Sequence, residues 1–202
     1  MIRSLDQFNF KNLKAIHVGA NFGQERWWYH RHKFSKVLWI EGNPASEARL
    51  RKHLRAFPNQ TYKIAVCSDK IETTKFNIAS NRGASSSLLP LKIHKIYYPY
   101  IKYVDSIPVK TATLDSIVDE SYDFLNLDVQ GAELLVLKGA TALIPKLTYV
   151  YAEVNKEELY EGGVLLPEID SFLENYGFTR ILTSRIINGF GEALYKRTPH
   201  VL

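Results

Sequence analysis

Lys14-Ala15-Ile16-His17-Val18-Gly19-Ala20-Asn21-Phe22-Gly23 is the stretch on which the fold reading turns. A short, largely apolar run stops at a glycine, and residues 24–34 that follow contain neither proline nor glycine. That pattern predicts a strand, a tight turn and a helix. Lys36-Val37-Leu38-Trp39-Ile40-Glu41 predicts a second buried strand, and after Gly42-Asn43-Pro44 residues 45–57 have helix-forming composition. The alternation points to an α/β domain with a mostly parallel sheet.

The same grammar continues downstream. Tyr62 to Cys67 predicts a third strand, Lys75-Phe76-Asn77-Ile78 a partly exposed one, and Thr113-Leu114-Asp115 the start of a short helix. Residues 122–128 form a buried strand that ends on Asp128, residues 133–142 a helix, and residues 147–154 another strand with Glu153 near its end. After Pro167 a helix reaches about Tyr176, and residues 177–182 and 192–196 make two closing strands around the turn Asn188-Gly189, an antiparallel edge. Residues 79–108 are harder to place. They are serine-rich at Ser85-Ser86-Ser87 and then aromatic and basic from Lys95 to Tyr103, so a lid or substrate loop is expected there.

With 202 residues and 46% hydrophobic content the chain can bury one sizeable core, and a single domain over 1–202 is expected. No apolar run approaches the ~20 residues of a membrane span, and Met1 to Gln7 lacks the features of a secretory signal. The lone Cys67 suits a reducing compartment, so a cytoplasmic protein without a membrane partner is expected. The net charge of +5 comes from lysines and arginines spread along the chain rather than gathered in a tail, which makes nucleic acid the less favoured partner. Trp27, Trp28 and Trp39 read as core or helix-packing residues.

In an open parallel sheet, ligands collect outside the carboxyl ends of the strands. Gly19 and Gly23 lie at such an end, where bare backbone lets a ligand approach and free N–H groups could meet it. One such turn is equally well explained as an ordinary strand-to-helix connection. Glu41 follows at roughly the ~20-residue spacing at which a carboxylate receives ribose hydroxyls. Together these features indicate an adenosine-type ligand, and NAD, adenosylmethionine or a nucleotide sugar would each use them. Asn21, standing where a dinucleotide site has its middle glycine, argues against a pyrophosphate and favours a ligand bearing an amino-acid moiety.

The sequence here resembles the FkbM-type methyltransferases over about Ala15 to Val154. The resemblance is carried by His17-Val18-Gly19-Ala20-Asn21-Phe22-Gly23, Ile40-Glu41-Gly42-Asn43-Pro44, Thr113-Leu114-Asp115 and, above all, Leu127-Asp128-Val129-Gln130-Gly131-Ala132-Glu133-Leu134-Leu135-Val136-Leu137-Lys138-Gly139-Ala140. It implies a Rossmann-like methyltransferase sandwich with a mostly parallel seven-stranded sheet and an antiparallel C-terminal hairpin edge. It also implies S-adenosylmethionine as cofactor and O-methylation of a sugar, glycan or small molecule. The cofactor set it suggests is His17, Gly19, Ala20, Asn21, Gly23, Glu41, Gly42, Ser68, Asp69 and Asp128, with Ser68 and Asp69 placed for adenine. Three positions depart from the family pattern: His17 stands for a common acidic residue, Gln130 for a frequent glutamate, and Gly42 for a frequent proline.

Methylating a hydroxyl requires a base or a metal to remove its proton. Asp128 is the first candidate base, with Glu153 and Asn155 as neighbours on what should be an adjacent strand, and His94 is the second. Asp128 and Glu153 would also be the pair to hold a divalent cation such as Mg. Helix capping competes as an explanation for Asp128 and is the preferred one for Asp115. Glu133 reads as a helix-start stabiliser. Ser86 and Ser87 could approach the cofactor, and Tyr97, Tyr98, Tyr100 and Tyr103 could stack on a sugar. An RNA methyltransferase and a non-catalytic adenosylmethionine-fold module are the alternatives.

Overall fold

A computed structural model describes residues 2–198. Lys14–Val18 forms β1, followed by α1 (Arg26–Arg31), β2 (Lys36–Glu41), α2 (Glu47–Leu54), β3 (Gln60–Ile64), β4 (Val66–Cys67) and β5 (Thr73–Ala79). Next come α3 (His94–Tyr97), β6 (Tyr103–Ala112), α4 (Leu114–Ile117), β7 (Phe124–Leu127), α5 (Glu133–Lys138) and β8 (Tyr149–Asn155). The chain closes with α6 (Leu166–Glu174), β9 (Phe178–Thr183) and β10 (Phe190–Arg197).

Seven strands make one sheet in the order β3-β2-β1-β7-β8-β10-β9. The first five run parallel, and β10 is antiparallel to both β8 and β9, as the expected hairpin edge requires. Strands covered on both faces need apolar residues on both, and β1 shows how they are shared. Ile16 and Val18 join a core cluster with Val136, Leu137, Ile169 and Leu173 of α5 and α6. Ala15 packs on the opposite face, beside Trp28 and Tyr29 of α1, Trp39, and Leu50 and Leu54 of α2. Trp28 and Trp39 are buried as expected, whereas Trp27 is 57% exposed.

Two segments differ from their expected form. The single strand predicted over 62–67 breaks at Ala65, whose N–H still bonds Glu41. Val66 and Cys67 then leave the main sheet to pair with β6, giving a small sheet in the order β4-β6-β5. The supposed lid loop over 79–108 contains α3 and the first half of β6, which pairs antiparallel with β5 from Tyr103 to Lys110. Alternating side chains along β6 carried that strand, but its serine-rich and aromatic approach hid it.

Candidate active site

The order β2-β1-β7 reverses the direction of winding beside β1, so a crevice opens at the carboxyl ends of β1 and β7. A cavity of about 350 Å³ lies there, within the range of small-molecule sites. The glycine turn and Glu41 line one part of it; Asp128, Gln130 and Glu153 line its base; Asn81, Ser85, Ser86, His94, Tyr98 and Tyr100 line the side contributed by the segment after β5.

The turn does not offer the free N–H groups expected of it. Gly19 and Ala20 both donate to the Ile40 carbonyl at 2.9 and 3.0 Å, Asn21 donates to Glu41 Oε2 at 2.6 Å, Phe22 to Gln24 Oε1 at 3.1 Å and Gly23 to the Ala20 carbonyl at 2.7 Å. What remains are acceptors. Asn21 Oδ1 is buried without a partner, and each Glu41 oxygen, after taking one backbone N–H (Asn43 donates to Oε1 at 2.7 Å), keeps a lone pair. Phosphate groups seek donors, whereas hydroxyls and ammonium groups seek acceptors. The chemistry of this turn therefore suits a ribose and an amino group and disfavours a pyrophosphate. Burial pushes the Glu41 carboxyl upward, opposed by those backbone donors.

At the end of β7, Gln130 sits in the left-handed region at φ +56° and works as a clamp. Its Nε2 donates to Asp128 Oδ1 at 2.7 Å and to Glu153 Oε2 at 3.0 Å, while its Oε1 accepts from the Tyr160 hydroxyl at 2.6 Å. Ser87 fixes the Gln130 carbonyl at 2.8 Å. Burial pushes Asp128 up to about 6, and burial together with the Asp128 charge raises the Glu153 carboxyl well above its ordinary range. His94 is buried with an unpartnered Nδ1, between the rings of Tyr98 and Tyr160, and burial holds it neutral.

Asp128 caps no helix: Ala132 occupies the N-cap of α5. Glu133 Oε1 instead accepts from Val129 and Gly131 at 3.1 and 3.2 Å, stabilising the helix start as expected. Asp115 is not a cap either. Thr113 caps α4, and Asp115 reaches the backbone of Ala142 and Leu143 at 2.9 and 3.0 Å, tying down the turn after α5.

Several predicted cofactor residues lie elsewhere. His17 turns to the opposite face of β1, stacked on Trp39 at 4.6 Å with Nδ1 3.1 Å from both Tyr29 Oη and Asn126 Nδ2. Side-chain alternation along the strand puts it there, and burial drives its pKa down to about 3. Ala20 packs its methyl into the core, and Gly23 makes room for Leu50 and Leu54. Ser68 and Asp69 are hydrogen-bonded to each other, with Ser68 drawn against Gly139, so Ala65, Val66 and Cys67 form the wall instead. Asn155 is buried in β8 away from the lining. Sequence reading missed Glu25, Gln130 and Tyr160 as lining residues, and nothing flagged Glu25, which lies between the polar Gln24 and Arg26 at the start of α1. Among the described residues no group of three His, Cys, Asp or Glu side chains is arranged to hold a metal, and Asp128 and Glu153, the pair that could hold a divalent cation, are bridged by the Gln130 amide.

A doubly wound sheet with a switch-point cavity that presents acceptors defines a Rossmann-like methyltransferase domain. The methyltransferase FkbM domain model matches residues 17–180, and the chain belongs to that family. The 2-O-methyltransferase NoeI of Sinorhizobium fredii (strain NBRC 101917 / NGR234) is 26% identical over 172 residues, 80% of this chain and 71% of that protein. A methyltransferase FkbM structure from Methylobacillus flagellatus KT superposes with a TM-score of 0.66 at 15% identity, covering 95% of this chain and 45% of that one. The chain thus spans less than half of that solved protein. A Streptococcus pneumoniae protein solved in complex with S-adenosyl-L-methionine shares the fold at a TM-score of 0.59 and 10% identity, covering 100% of this chain and 73% of that one. No helix among the described residues is long and apolar enough to cross a membrane.

Proposed function

We propose that this chain transfers a methyl group from S-adenosylmethionine to a hydroxyl of a sugar, glycan or small-molecule acceptor. The observation that carries the reading is that one cavity joins the acceptor-lined glycine turn to the Gln130-clamped pair Asp128 and Glu153. Membership of the FkbM family supports the cofactor, and the relative named a 2-O-methyltransferase supports a hydroxyl acceptor.

When bound, the cofactor supplies a methyl group already activated on a sulfonium. This chain's residues do the rest. Glu41 receives ribose hydroxyls on the lone pairs its backbone donors leave free. Val18, Ile40, Val66 and Phe76 exclude water around the nucleoside. Asp128, ionised near neutrality and fixed by Gln130, accepts the proton of the acceptor hydroxyl, with Glu153 held beside it by the same amide. His94, which also lines the cavity, is the alternative proton acceptor. Holding the two reactants in line supplies much of the remaining rate.

The test is a methyl-donor assay against a panel of sugars and nucleotide sugars, with and without chelator. Turnover is expected to survive chelator and to fall roughly 10²- to 10⁴-fold in Asp128→Asn, with adenosylhomocysteine still bound in a calorimetric titration. Full turnover by Asp128→Asn would remove Asp128 from the chemistry, and a wild-type chain that binds neither adenosylmethionine nor adenosylhomocysteine would sink the reading as a whole.

A further inference from the structure

Residues 21–60 hold eight lysines and arginines against three glutamates, an excess of five that equals the net charge of the whole chain. The remainder is electrically balanced. The fold sharpens the contrast, because Glu25 and Glu41 line the cavity and Lys36 pairs with Glu120, whereas Arg31, Arg49, Arg51, Lys52 and Arg55 stay exposed. Charge that is spread along the sequence is gathered onto one face.

That face is built by α1 and α2, which lie together over one side of the sheet and share a core cluster through Trp28, Tyr29, Leu50 and Leu54. Outward, α1 presents Trp27, His30 and Arg31 at positions i, i+3 and i+4, and α2 presents Arg51, Lys52 and Arg55 at the same spacings. The two rows meet at Phe57, whose ring lies 4.7 Å from that of Trp27 and 5.5 Å from that of His30. Among the described residues Arg31, Arg51, Lys52 and Arg55 form no ion pair. Two carboxylates border the face, but Asp6 is taken by Trp28 and His32, and Glu47 accepts from the Tyr62 hydroxyl. Cations near the last turn of each helix complement its dipole. The dipole does not explain Trp27, which stands 57% exposed among them, held edge-on against Phe57 at 84°.

The charge lies away from the chemistry. No lysine or arginine lines either described cavity, so these cations do not receive phosphates of a methyl acceptor at the reacting end. A single-stranded nucleic acid is held in a cationic groove, and neither cavity includes a residue of this face. Cations on a helical surface around one indole ring instead match a bilayer, where anionic headgroups meet the cations and the ring settles at the headgroup level. We propose that the α1–α2 face docks the protein on an anionic phospholipid surface, with Trp27 seated among the headgroups. The expectation of no membrane partner rested on the absence of a spanning segment, and peripheral docking needs none. The proposal is independent of the cofactor reading.

Vesicle sedimentation tests it, with phosphatidylcholine alone and with about 30% phosphatidylglycerol added. The wild-type chain is expected to bind only the anionic vesicles and to leave them as salt rises from about 0.05 to 0.5 M. Its tryptophan emission should shift to the blue on binding, a signal that reports Trp27 because Trp28 and Trp39 are already buried. Arg51→Gln/Lys52→Gln/Arg55→Gln is expected to weaken binding roughly 10- to 100-fold. Lys75→Gln/Lys102→Gln/Lys110→Gln removes the same charge from exposed positions on and beside the small sheet and should bind as wild type does. Trp27→Ala should bind more weakly and lose the blue shift, and it carries the test alone if the α2 variant melts early. Absence of wild-type binding to anionic vesicles, equal weakening by the two triple variants, or a blue shift retained in Trp27→Ala would each overturn the proposal. Tighter binding of single-stranded RNA than of the vesicles would overturn it as well and assign the face to nucleic acid.

Discussion

Gly19 and Asp128 meet backbone to backbone: a Cβ on Gly19 would stand 1.7 Å from the Asp128 carbonyl oxygen. The glycine turn proposed to hold the cofactor and the carboxylate proposed as the base are thus one packed unit. Asp128 is further tied to β1 by its N–H, which donates to Val18 at 3.0 Å.

Gly19→Ala should therefore damage stability and site together. The position combines φ +91° with that clash, and the two costs sum to about 3 kcal/mol or more. Gly162→Ala is the control, because φ is +70° there but nothing lies within 4 Å of the added carbon, leaving about 1 kcal/mol. Urea unfolding of the two variants checks this, and equal losses would show that strain rather than contact with Asp128 governs Gly19.

The pH dependence of turnover should report Asp128. Its pKa is raised to about 6, so the base is lost as pH falls through 6 and kcat/KM is expected to rise to a plateau above it. Gln130→Glu replaces the shared amide donor with another carboxyl group. The rising limb should then move to higher pH, with turnover at pH 7 down about 10-fold. An unshifted limb in Gln130→Glu would mean that a different group titrates.

Glu133 offers a test of buried charge. Burial raises its pKa to about 7 from the ordinary 4.5, so between these values the folded chain keeps a proton that the unfolded chain has lost. Stability contributed by this group is present below 4.5 and declines as pH rises through 7. Both backbone N–H groups that Glu133 caps bond the same oxygen, Oε1, and Oε2 has no partner, so Glu133→Gln can keep both bonds without the charge. Its Tm should match wild type at pH 5 and exceed it at pH 8, whereas Glu133→Ala should lose about 1–3 kcal/mol at both. A Glu133→Gln melting curve with the wild-type slope against pH would refute the assignment.

Much of the fold was legible because strand burial leaves continuous apolar runs, and Lys14–Val18, Lys36–Glu41 and Phe124–Leu127 each end where the observed strand ends or within one residue of it. The break at Ala65 was not, since leaving one sheet for another changes the partner of a strand without changing its composition. The same limit applies to the site. Glu41, Asp128 and Glu153 announced themselves as charges closing apolar strands, but the role of Gln130 depends on a left-handed backbone and on Tyr160, thirty residues away. His17 was misplaced because a strand-end residue points to one face or the other, and a one-residue difference in phase decides which.

The small sheet β4-β6-β5 separates the gene for the site into two tracts. Gly19, Glu41 and Asp128 lie at the carboxyl ends of strands of the large sheet, while Phe76, Ser86, His94 and Tyr98 all come from the single insertion between β3 and α4. Replacement of that insertion can reshape one wall and leave the other standing, so a scaffold of this kind can acquire new acceptors by exchange of one contiguous module.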